Sequence, residues 1–163
     1  MSTAKNRFQY DKPLRRLFLY NAIDFGTISD PKQIVIPSDI RCVKITDIFF
    51  NASAEAANGT TLSGRIQVGD GTTAAKYANQ KVGPDATGTA VAKGASYGIK
   101  DLDGRVAAYN PDAAPGSGKG FIDLLQDGAA AGTLQQTLTV TFVANTGGTP
   151  AGIGEVAIEV EMW

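Results

Sequence analysis

The sequence predicts an all-β fold, an antiparallel two-sheet sandwich preceded by an extended N-terminal arm. Three observations carry this prediction. Several short runs alternate apolar and polar residues, the period of strands with one buried and one wet face. The 19 glycines and 7 prolines fall between those runs, which leaves little room for helices. The runs recur at short spacing along the 163 residues, as in a sandwich or barrel. A chain of this length closes one core without help from a disulfide or a metal.

The arm comes first. Residues 1–16 carry Lys5, Arg7, Lys12, Arg15 and Arg16 against Asp11 alone, a local net of +4 that leaves -5 for residues 17–163. Such a segment is either a solvated tail or an arm that docks on an acidic partner surface. The whole chain has a net charge of -1 and a pI near 5.4, so no general attraction for nucleic acid or for a membrane surface is expected. The apolar stretch 17–20 is far shorter than a signal-peptide core or a membrane helix. Residues 17–163 read as a single domain.

Within that domain the last strand is the clearest, since Val156, Ile158, Val160 and Met162 alternate with Glu155, Ala157, Glu159 and Glu161. Before it, Leu138, Val140, Phe142 and Ala144 alternate with threonines, and the two runs suggest an antiparallel pair joined by an exposed loop. Leu62, Gly64, Ile66 and Val68 form another half-buried run that stops at Asp70-Gly71. Further strands are expected at 17–23, 33–36, 43–50, 105–109 and 121–125. In the third of these Asp47 interrupts the apolar face, and in the last Leu124-Leu125 breaks the alternation. Residues 76–98 have no sustained period and read as a long loop excursion, with one helical turn around residues 74–78. About eight strands with this punctuation are compatible with a jelly-roll-like sandwich.

The missing residues exclude much chemistry. There is no histidine, and Cys42 is the only cysteine. That removes the commonest general base, the Cys/His metal clusters, the intrachain disulfides and the ordinary Ser-His triad. Cys42 heads an apolar run and reads as a small buried residue rather than a reactive thiol. The GSGKG stretch at 116–120 fails as a phosphate loop, because Ala113 and Gly120 stand where that loop needs glycine and a hydroxyl. The run Asp101-Leu102-Asp103-Gly104 lacks the later ligands of a calcium loop and reads as a turn. Asp70, Asp123 and Asp127 are the carboxylates open to paired acid/base work, with turn positions as the commoner role. No cofactor and no metal are expected, and the chain reads as a non-enzyme.

Two stretches carry a resemblance. GRIQVGDGTTAAKYA at 64–78, and TLTVTFVANTGGTPAGIGEVAIEVEMW at 137–163, resemble the jelly-roll capsid cement, or decoration, proteins of tailed bacteriophages. The likeness lies in a strand entering V-G-D-G and in two closing strands around T-G-G-T-P-A-G. It covers about a third of the chain by motif, and its motifs are structural rather than catalytic. It implies a homotrimer on the outside of an icosahedral head, assembled in the host bacterial cytoplasm and bridging subunits of the major capsid protein. Capsid-contacting residues are then expected in the arm, at Phe8, Tyr10, Lys12, Arg15 and Arg16. Jelly rolls also present sugars on their loops, so a virion-associated carbohydrate- or receptor-binding module is the alternative.

Overall fold

In the computed structural model, the described residues are 12–27, 30–52, 64–82, 96–98, 122–125, 132–144 and 153–163. They form nine strands: β1 (Leu14–Asp24), β2 (Lys32–Val35), β3 (Cys42–Ala52), β4 (Arg65–Gly69), β5 (Ala78–Lys81), β6 (Ser96–Gly98), β7 (Ile122–Asp123), β8 (Thr137–Val143) and β9 (Ile153–Met162). All pairings between them are antiparallel. One sheet has the order β1-β9-β3-β6, with β7 on the same edge of β3, and the other has the order β2-β8-β4-β5. The pairing is nested: first strand with last, second with next to last, third with sixth and seventh, fourth with fifth. A long hairpin rolled into two layers takes this order, which is compatible with the jelly roll expected from the sequence.

The core lies between the sheets. Val43, Ile45, Ile48, Phe50, Val156, Ile158, Val160 and Met162 face inward from one, and Ile34, Ile66, Val68, Leu138, Val140 and Phe142 from the other, each at most 1% exposed. Burying a side chain of this size contributes about 1.5–3 kcal/mol. Phe25, just beyond β1, closes one end, its ring edge-on to Phe50 at 5.2 Å and to Phe142 at 6.1 Å.

The expected β8–β9 hairpin is not formed. β8 pairs with β2 and β4, and β9 with β1 and β3, so the two strands lie in different sheets. Both runs alternate because each buries one face against the other across the core, and alternation reports burial rather than partner. The stretch 76–98 is not one loop, since β5 and β6 fall inside it. A turn closes at Thr73, whose carbonyl accepts from the Lys76 amide at 3.4 Å, but Ala78 opens β5 instead of continuing a helix.

Two bulges set the registers. On β3, Thr46 and Asp47 together oppose Glu159, between the pairs Ile45 with Val160 and Ile48 with Ile158. The extra residue turns both isoleucines inward and lets Asp47 stay outside the core, where its Oδ1 accepts from the Ile48 amide at 2.8 Å. On β1 the register shifts between Tyr20 and Ile23, and Ala22 takes a φ of 56°. This left-handed residue returns Ile23 to the core, where it is 3% exposed.

The V-G-D-G motif is turn chemistry. A Cβ on Gly69 would meet the Thr73 carbonyl oxygen and lie 2.7 Å from that of Ala74. Asp70 Oδ1 accepts from the amides of Thr72 at 2.8 Å and Thr73 at 2.7 Å, and Oδ2 from Lys76 Nζ at 2.9 Å. Gly71 then takes a φ of 89°, open to glycine at no steric cost.

Candidate docking surface

The outer face of the β1-β9-β3 sheet is built in rows by the strand register. The first row runs Arg15, Glu161, Lys44, the second Leu17, Glu159, Asp47, and the third Leu19, Ala157, Phe49. Leu17 is 57% exposed, Leu19 64% and Phe49 38%. The face therefore passes from a charged row through a mixed one to an apolar one, and beyond it Asn51 stands opposite Glu155, both exposed. Arg15 Nη2 bonds Glu161 Oε1 at 2.8 Å, with the glutamate side chain well covered and the arginine mostly open.

Of the residues expected to contact a capsid, Arg15 and Arg16 stand in β1, which begins at Leu14, three residues ahead of the sequence-based boundary between arm and domain. Arg15 lies on the outer face. Arg16 has the opposite parity, opposite Val160, and is exposed because β1 is an edge strand. Lys12 is exposed just before the strand. Phe8 and Tyr10 lie outside the described residues, so the structure brings together only Lys12, Arg15 and Arg16 of the five.

Sequence reasoning missed Leu17, Leu19 and Phe49 as surface residues. A signal was present in residues 17–20, Leu-Phe-Leu-Tyr, which are apolar on both faces of a strand. Phe18 and Tyr20 take the inward positions, packed against the core, and Tyr20 sits edge-on to Phe142 at 6.0 Å. Burial pushes the Tyr20 phenol up to about 12. The leucines between them remain outside.

The carboxylates considered for acid/base work are occupied structurally where they are described. Burial acts to raise the Asp70 carboxyl, but the Thr73 amide, Lys76 and the Thr72 amide outweigh it and hold the group below its ordinary range. Asp123 Oδ1 accepts from the Leu125 amide at 3.0 Å and faces Arg41 Nε at 3.6 Å. Asp127, the 101–104 and 116–120 stretches and the strand expected at 105–109 lie outside the described residues. Cys42 is half-buried rather than buried, its backbone paired with Trp163 in both directions, at 2.9 and 3.1 Å. Among the described residues no group of three His, Cys, Asp or Glu side chains is placed to hold a metal ion.

No family model matches the chain, and no curated protein does. Among solved structures it is similar to a chain of the cyanophage Pam1 capsid asymmetric unit, at 10% identity and a TM-score of 0.46, covering 100% of this chain and 98% of that one. It is also similar to the tobacco streak virus coat protein, at 12% identity and a TM-score of 0.23, covering 90% and 85%. Values this low assign neither fold nor role to this chain.

Proposed function

We propose that this chain is a structural virion protein that binds the outside of a bacteriophage capsid and stabilises it by bridging subunits of the major capsid protein. The observation that carries the reading is the outer face of the β1-β9-β3 sheet. It sets exposed apolar side chains, Leu17, Leu19 and Phe49, beside the charged row Arg15, Glu161, Lys44 on rigid hydrogen-bonded strands. Such a face suits a broad protein contact, with an apolar centre and a charged rim. Lys12 stands just before β1 at the same charged end, and Phe8, Tyr10 and Lys12 are the further contact residues of this proposal. The resemblance of residues 64–78 and 137–163 to capsid cement proteins supports the class of partner.

A homotrimer strengthens such a contact without new chemistry, because rigidly linked weak contacts bind together far more tightly than each alone. The test is co-sedimentation with expanded capsids that lack this protein. Intact chain is expected in the capsid pellet, and a chain lacking residues 1–13, which keeps β1 whole, is expected to pellet less while keeping its β-sheet spectrum. Undiminished attachment of the shortened chain would make the segment a solvated tail, and no attachment of the intact chain would remove the reading.

A further inference from the structure

We infer that the open edge of β1 is a self-association site, at which two copies of this chain pair antiparallel, β1 against β1, on a two-fold axis through Phe18. Among the described residues β9 pairs with one edge of β1 and no strand pairs with the other. The pairing with β9 is regular from Leu14 to Tyr20 and then breaks at the bulge around Ala22. This leaves a row of backbone donors and acceptors in regular register, with exposed leucines on it, the kind of edge to which another strand adds.

The side chains identify the occupant. Residues 16–20 read Arg-Leu-Phe-Leu-Tyr, which is nearly symmetric about Phe18. In an antiparallel pair centred there, Leu17 stands opposite the partner's Leu19 twice on the outer face, covering the two most exposed leucines of the strand. On the other face Phe18 meets the partner's Phe18, and each Arg16 meets the partner's Tyr20, a cation beside an aromatic ring. No like charges are opposed. Centring on Arg16 would set two arginines against each other, and centring on Tyr20 would run into the bulge. Arg15, the other cation of this edge, is already held by Glu161 at 2.8 Å. Isologous pairing closes at two copies and leaves the outer faces of both sheets continuous.

The pairing takes up Leu17 and Leu19, which the capsid reading also uses, and leaves Phe49 and the charged row to the capsid; one mass measurement separates it from the expected trimer. Native mass spectrometry of the full chain is expected to give two copies, or six if a three-fold contact also exists. One or three copies would overturn the pairing. The double variant Leu17→Lys and Leu19→Lys, with its circular dichroism unchanged, is expected to halve the mass; an unchanged mass would overturn it. Register is read by disulfide trapping in a Cys42→Ala background. A mixture of Leu17→Cys and Leu19→Cys chains is expected to link as mixed pairs faster than either variant links alone. Faster linking of either variant with itself would overturn the pairing.

Discussion

Ile45 and Ile48 stand three residues apart on β3 and both face the core, each fully buried, because Thr46 and Asp47 together oppose Glu159. The bulge reconciles an apolar run that lacks strict alternation with a sheet that requires it. Deleting Thr46 would leave Ile45, Asp47 and Ile48 alternating in an unbulged strand. The deletion is expected to fold, at a cost of about 1 kcal/mol for the lost bond from Thr46 Oγ1 to the Glu159 carbonyl. Deleting Phe49 instead turns Phe50 outward and Asn51 inward. That loss of a buried aromatic costs roughly 3–5 kcal/mol, and urea denaturation of the two deletions should differ accordingly.

Ala22 holds a left-handed conformation, φ 56°, at the bulge of β1. An L-residue there costs roughly 1–2 kcal/mol, and glycine gives back about half of that gain through its freer unfolded chain. Ala22→Gly is therefore expected to stabilise by roughly 0.5–1 kcal/mol, seen as a rise in the urea midpoint. Ala22→Val, with a branched side chain in the same conformation, is expected to lower it.

Asp70 is depressed in the folded chain, so its contribution is present above the unfolded carboxyl value of about 3.9 and is lost as pH falls through its folded value. Asp70→Asn removes charge-assisted bonds worth about 1.5–3 kcal/mol at neutral pH. Denaturant titrations from neutral pH into acid should show the variant losing less stability than the native chain in the acid range. An equal loss in both would place the acid sensitivity elsewhere.

Gly154 lies against β3, where an added Cβ would meet the Phe50 ring and sit 2.5 Å from the Asn51 carbonyl oxygen. Gly154→Ala is expected to destabilise by roughly 1–3 kcal/mol, because neither β3 nor the buried ring has room to move. Gly132 has nothing within 4 Å of its Cβ position but a φ of 84°, so Gly132→Ala isolates the cost of conformation from that of crowding. Thermal melts of the pair separate the two effects.

The strands that bury one face were legible in the sequence, and their alternation placed β8, β9 and most of β1, β3 and β4. Their partners were not, because a half-buried strand looks the same whichever neighbour it takes. β5 was hidden for another reason: its inward residues include Gln80, 2% exposed, beside Ala78, so no apolar alternation marked it. Asp47 concealed the bulge, since a polar residue in an apolar run is the mark of a bulge as much as of a break. Of the candidate docking surface, the sequence showed the charges of Arg15, on the outer face, and Lys12, just before the strand, while Arg16 has the opposite parity. It did not separate Leu17 and Leu19 from core leucines, because residues 17–20 are apolar at both parities and only the fold shows which face of β1 turns outward.

Binding to the capsid exterior is the central claim, and co-sedimentation of the purified full chain with expanded capsids lacking it tests that claim most directly. The account predicts saturable recovery in the capsid pellet, weakened by Phe49→Asp on the outer face of the sheet. A folded chain that stays in the supernatant at every capsid concentration would contradict it.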